Sequence, residues 1–312
     1  MSLPGPQDEL GQVLRRMPGR LFAVMDGAQF DDLPGRLRAV GLEYFPLYVD
    51  EIDAPQLSSG PHLVVCRSGW AIEQVRDVAA GAPTVVWWAW PDTGGDSEAR
   101  SFRQLRRVNL MDAPWDVITE VAGVSHRSGD YQGIGGAEPV LFRHADAEVV
   151  AALLQVLAPV QRARFFGGAL AVVAEPPSHQ GVMHVANPKP EAPVPFGRLR
   201  LSRPQYGRLS AAYGAAMRRR ACLEFCGELS GPQDARTARI VDAVDRAEHY
   251  GCATQAQVWD FIRLDLRYGA RFELQPKYSG VLRELRDFSV SPAERLFRAW
   301  QELGFAERHG EK

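Results

Sequence analysis

The hydrophobic pattern of this chain changes character once, and that change constrains its fold more than any other feature. Up to about residue 175, short apolar runs alternate with brief helical patterns. The strand-like runs are LFAVMD ending on Asp26, GLEYFPLYV, HLVVC (62–66), TVVWWAW (84–90) and VNLM, the fourth suiting a central strand. Helical patterns fall at Asp31 to Val40, Ala71 to Ala80, Glu98 to Arg107 and Ala113 to Val121. Beyond Leu201 only helical periodicity remains: Arg203 to Cys226 as one helix or two, then Asp234 to Tyr250, Thr254 to Tyr268, Val281 to Phe288 and Pro292 to Leu303. Between the two regimes lies EPPSHQGVMHVANPKPEAPVP, with six prolines and almost no periodicity, a linker or a surface strap. The expected architecture is an α/β N-terminal lobe over 1–175, with a mixed sheet and short helices. A Pro-rich linker over 176–200 and an all-α C-terminal lobe over 201–312 follow.

Bulk properties narrow the class. At 312 residues, 46% apolar and 24% charged, the chain can bury two ordinary cores. No apolar run reaches membrane-spanning length, and the start MSLPGPQDELGQ lacks the basic flank and apolar stretch of a signal peptide. A cytoplasmic address without a membrane partner is expected. Cys66, Cys222, Cys226 and Cys252 are too few for a disulfide framework and read as reduced thiols. Residues 1–170 hold 15 Arg or Lys against 21 Asp or Glu, a net of −6, while the remaining 21 against 17 give +4. The halves therefore present surfaces of opposite sign.

The chemistry-bearing motifs are sparse. Trp87, Trp88 and Trp90 lie in a strand, where alternation sends Trp88 and Trp90 to one face and Trp87 to the other. They read as buried sheet aromatics, or as a partner anchor if one is exposed. The glycines Gly133, Gly135 and Gly136 lack the spacing and following helix of a dinucleotide loop. Ser125, His126 and Asp130 beside them leave open a hydrolase using His126 and the Gly-rich loop, although no G-x-S-x-G elbow is present. Cys222 and Cys226 with His249 and Cys252 have the residue types of a zinc site, but the spacing suits buried thiols in packed helices. Ala247 to Gly269 has the outline of a helix-turn-helix. Its second helix carries Trp259, Phe261, Ile262 and Leu264 beside Asp260 and Asp265, which suits burial better than reading DNA. Arg218-Arg219-Arg220 reads as a solvated helix face.

The segment Val140 to Gly168 is the most specified of all. It holds Phe142-Arg143-His144-Ala145-Asp146, an apolar helix, a Pro-Val-Gln break with Gln161, and Phe165-Phe166 running into two glycines. None of these is a nucleophile, a metal cage or a phosphate cradle. Together with Leu21-Phe22-Ala23-Val24-Met25-Asp26, the Pro61-His62-Leu63-Val64 strand start and the strand–helix pair from Val85 to Arg106, this order resembles the effector adaptors, or effector chaperones, of type VI secretion. The likeness covers about residues 20–175, and extends more loosely to Tyr250-Gly251 and Arg271-Phe272. Where the family has proline after the Asp of the turn, this chain has Ala147.

The resemblance implies a cytoplasmic protein that binds one toxic effector and hands it to the VgrG spike, with no nucleic-acid partner, no cofactor, no metal and no catalytic residue. Phe142, Arg143, Asp146, Phe165, Phe166, Trp88 and Trp90 are the expected partner-binding or lobe-organising residues. Arg143 and Asp146 can form a charge-assisted turn with the phenylalanines packed beneath.

Overall fold

The computed structural model describes residues 8–48, 60–80, 85–114, 137–177, 179 and 181–309. They form two compact units, one holding the described residues through 213 and the other those from 214 onward. The first is α/β and the second all-helical, as the periodicity indicates. The divide falls inside a helix, at Tyr213/Gly214, and not in the proline-rich stretch.

In chain order the first unit contains α1 (Glu9–Arg16), β1 (Arg20–Asp26), α2 (Leu33–Ala39), β2 (Tyr44–Pro46), β3 (Pro61–Cys66), α3 (Gly69–Val78), β4 (Val85–Trp90) and α4 (Asp96–Val108). Then come β5 (Leu110–Pro114), β6 (Ala137–Leu141), α5 (Ala147–Val156), α6 (Pro159–Phe166), β7 (Ala171–Ala174), β8 (Met183–Ala186) and β9 (Leu199–Arg200). A six-stranded sheet has the order β2-β3-β1-β4-β7-β8, and a three-stranded one the order β6-β5-β9. Every pairing in the larger sheet is antiparallel, so mixed pairing is confined to the smaller sheet, where β9 runs parallel to β5. The Ala113 to Val121 expectation is overturned at its start, because Ala113 and Pro114 end β5; residues 115–121 lie outside the described set.

The central strands read as unbroken apolar runs because helices cover both faces of the larger sheet. Phe22, Val24, Leu63, Val65, Val86, Trp88 and Val172 pack with residues of α4, α5 and α6 in one core. Their neighbours Leu21, Ala23, Met25, Val64, Cys66, Trp87 and Val173 pack with α1, α2 and α3 in another. The two-residue period of a strand sorts one run into two cores.

The helix boundaries follow local signals. Side chains of Asp8, Ser68 and Asp146 cap α1, α3 and α5. Pro159 opens α6, and the Gln161 side chain accepts from the Ala158 N–H at 2.8 Å and donates to the Arg200 carbonyl.

The stretch over 176–200, expected as a linker or a surface strap, is fastened to the first unit as a strap. It supplies edge strand β8, its Asn187 side chain donates to Ala169 O at 2.8 Å, and it ends in β9. Backbone pairing holds this stretch down where apolar periodicity is lacking.

The second unit comprises the latter part of α7 (Arg203–Phe225), then α8 (Gln233–His249), α9 (Gln255–Tyr268), α10 (Ser279–Leu285) and α11 (Pro292–His309). Its interior holds an ionic network as well as apolar side chains. Arg246 donates to Asp265 at 2.5 Å, to Glu273 at 2.8 Å and to Asp242 at 2.9 Å, and lies over the Phe261 ring. The Asp265 and Glu273 side chains are only 1% and 0% exposed, so Arg246, joined at Asp265 by Arg239 at 3.4 Å, supplies the counter-charge that makes their burial tolerable. Arg271 adopts a left-handed backbone, φ 54°, and in that conformation its N–H donates to Asp265 at 2.9 Å.

Phe165→Ala is expected to destabilise the first unit by about 3–5 kcal/mol in urea unfolding, whereas Val160→Ala on the same helix, 65% exposed, changes stability by less than about 0.5 kcal/mol.

Candidate functional site

The Phe142–Asp146 turn connects β6 to α5 and is built by backbone bonds. Phe142 N donates to Asn109 O at 2.8 Å, His144 N to Phe142 O at 2.9 Å and Asp146 N to Arg143 O at 3.1 Å. The Asp146 carboxylate then accepts from Glu148 N and Val149 N, which makes it the N-cap of α5. Ala147 takes the first helical position, where proline is also tolerated. His144 is fully buried, and burial drives its pKa down to about 3, so it is neutral. Its Nε2 meets Asn109 Oδ1, whose amide group donates to Leu47 O. That polarity puts the imidazole proton on Nε2.

Arg143 projects from this turn to Asp26 at the end of β1, a residue 117 positions away. The Asp26 side chain is 8% exposed and that of Arg143 31%. Burial opposes the Arg143 cation, but the charge and hydrogen bond of Asp26 outweigh it, with Asp146 adding in the same direction, so its pKa lies above the ordinary value. Asp26 also accepts from Ala28 N at 3.2 Å, fixing the turn after β1. Burial raises the Tyr48 phenol, Asp26 adds to the rise and Arg143 opposes it. Burial likewise lowers the His62 imidazole, which bonds to Gly60 O at 2.9 Å. The ion pair therefore joins the Asp of LFAVMD to the Arg of Phe-Arg-x-x-Asp. Arg143 thus reaches across the fold to Asp26 while the Asp146 carboxylate of its own turn also stabilises its charge.

The expected aromatics lie inside. Trp88 and Trp90 are 0% and 3% exposed, and Phe142, Phe165 and Phe166 no more than 4%. Trp88 meets Phe165 at 5.1 Å between ring centroids, and Phe165 meets Phe166 edge-on at 5.9 Å. The indole N–H groups of Trp88 and Trp90 have no hydrogen-bond partner among the described residues, so these rings serve by volume. The seven residues thus pack and brace the first unit; only Arg143 retains substantial exposure.

A stacked pair of exposed aromatics lies elsewhere, at residues the sequence motifs do not single out. In the second unit, Ala256 and Leu264 of α9 with Ala293, Leu296, Phe297 and Trp300 of α11 line a groove of about 570 Å³. Phe297 and Trp300 are each 51% exposed and stack at 6.1 Å with 29° between planes. Asp260, Arg263 and Arg267 of α9 add polar groups to the lining. A signal for it exists in the chain. At about 100° per residue, Leu296, Ala299 and Leu303 form one buried stripe, with Trp300 at its margin and Phe297 far beyond. An apolar arc that wide exceeds what one packed face requires.

The other candidates separate cleanly. Ser125, His126, Asp130 and Gly133 to Gly136 lie outside the described residues. The outlined helix-turn-helix is α8 and α9, and Val258, Trp259, Phe261, Ile262 and Leu264 are buried, occupying the core as their types indicate. The four cysteines are free thiols, and no metal-holding group of three or more His, Cys, Asp or Glu occurs among the described residues. Cys66 and Cys252 are pushed up to about 12 by burial. No described helix is long and apolar enough to cross a membrane. Compared with protein-family models, curated proteins and solved structures, the chain matches none of them.

Asp26→Asn is expected to cost about 1–3 kcal/mol of stability in chemical unfolding, because it leaves a mostly covered guanidinium without its charge partner. His144 stays neutral in the fold down to about pH 3, while in the unfolded chain it binds a proton below about 6.5. Stability should therefore fall as pH drops through that window, by up to about 1.4 kcal/mol per pH unit from this residue. His62, also lowered, acts in the same direction. His144→Gln should flatten the slope, as read from unfolding midpoints at a series of pH values.

Proposed function

We propose that this chain is a non-enzymatic cytoplasmic adaptor that binds a cognate toxic effector and loads it onto the VgrG spike of a type VI secretion system. The α9–α11 groove carries this reading. A stacked pair of half-exposed aromatics has a cost in water, and is the kind of anchor that dominates protein–protein affinity when covered. The order of motifs supports the adaptor class, since one ion pair gives two of them a joint purpose: Asp26 and Arg143 hold the end of β1 to the turn that starts α5. The groove suits an apolar effector segment, because Ala256, Leu264, Ala293, Leu296, Phe297 and Trp300 make most of its lining.

Identification of the genes beside its own, and co-expression with any VgrG and toxin found among them, provide the test. The adaptor is expected to co-elute with the toxin and to retain VgrG. A Phe297→Ala, Trp300→Ala double variant should bind the toxin at least ~10-fold more weakly with an unchanged unfolding midpoint. If the wild-type chain retains neither protein, the reading is wrong.

A further inference from the structure

Cys222 and Cys226 stand four residues apart in the second unit, where α7 passes into a 3-10 turn, Cys226–Glu228. That spacing puts both side chains on one face, one helical turn apart. The Cys222 thiol donates a hydrogen bond to the Cys226 sulfur, and Cys226 Sγ also lies 4.0 Å from Thr237 Oγ1 of α8. Burial, the charge of the neighbouring sulfur and their shared hydrogen bond push the Cys222 thiol up to about 11, so it keeps its proton at neutral pH. Cys226 is only 6% exposed, whereas Cys222 is half-buried and within reach of solvent.

Distances decide what such a pair can hold. Helical positions four apart keep their Cβ atoms about 5–6 Å from each other. A disulfide needs them about 3.5–4.5 Å apart, so a direct S–S bond requires the end of the helix to distort. An ion seated between the two sulfurs takes up the difference. Zinc takes four donors, and among the described residues no third His, Cys, Asp or Glu joins the pair. Two thiolates and nothing else suit a soft cation of low coordination number, which points to Cu(I). Such a unit carries one net negative charge, two thiolates against one cation. Arg236 of α8 is placed to offset it. Its Nη1 donates to the Cys226 carbonyl at 3.1 Å, and its Nε is buried with no hydrogen-bond partner among the described residues. Outer-sphere donors and charges of this kind tune the sulfur ligands of a metal.

We propose that Cys222 and Cys226 form a two-coordinate thiolate site that binds Cu(I). The ion replaces both thiol protons, which pass to solvent: one Cu⁺ and two S–H groups give an S–Cu–S unit of charge −1 and two H⁺. Cys222 admits the ion and Cys226 completes its coordination. Because both ligands belong to the folded end of α7, the bound ion also stabilises the second unit.

The test titrates the full, reduced chain under anaerobic conditions against Cu(I) presented as its coloured bicinchoninate complex. Wild type is expected to bleach the complex by one equivalent of Cu(I) per chain, and its unfolding midpoint to rise when the ion is bound. Cys222→Ser, at a half-exposed position, should take up none and unfold at the midpoint of the ion-free wild type. X-ray absorption at the copper edge of the wild-type complex should show two sulfur neighbours and no nitrogen or oxygen, a measurement that depends on no variant. Failure of wild type to bleach the complex, or equal uptake by Cys222→Ser, overturns the site. Displacement of the bound copper by an equal amount of Zn(II) overturns it too, because two sulfurs alone do not hold zinc against Cu(I).

Discussion

Two-sided burial of the central strands is the constraint on which the first unit depends. β1, β3 and β4 carry apolar side chains on both faces, so neither face tolerates water and each needs its own helical layer. Helices α1, α2 and α3 cover one face, and α4, α5 and α6 the other. Trp87 and Trp88, adjacent in sequence, belong to different cores for this reason alone. An antiparallel sheet usually leaves one face to solvent. This one does not, and hydrophobic runs without alternation are the consequence.

Once the sheet is enclosed, its ends become the places where polar chemistry can do structural work. Asp26 sits at the end of β1, and Arg143 closes it from the turn after β6. Asp146, three residues on, starts α5 by capping it, so one short turn both locks a strand and launches a helix. The second unit uses the same device at greater depth. Arg246 neutralises Asp265 and Glu273 in the interior, and Asp265 in turn satisfies the left-handed Arg271 backbone. In both units the charged groups are consumed by the scaffold.

What remains for a partner is apolar and exposed. Phe297 and Trp300 lie along a groove between two helices. The buried aromatics of Trp88, Trp90, Phe142, Phe165 and Phe166 instead make rigid the sheet and helix layers of the first unit.

Sequence by itself determined what depends on near neighbours along the chain. The two-residue and 3.6-residue periods mark β1, β3, β4 and most helices, and the helix-only pattern after Leu201 marks an all-α unit. The face assignment of Trp87 and Trp88 follows from strand geometry alone. Tertiary structure decided everything that joins distant residues. The antiparallel order of the larger sheet, the pairing of Arg143 with Asp26 and the fastening of residues 176–200 to the first unit involve partners that no local pattern identifies. Exposure was decided there too. Trp88 and Trp300 are the same residue type in well-formed elements, and only the presence or absence of a covering layer makes one core and the other surface. Local periodicity shows which side chains share a face; it does not show whether that face meets protein or water.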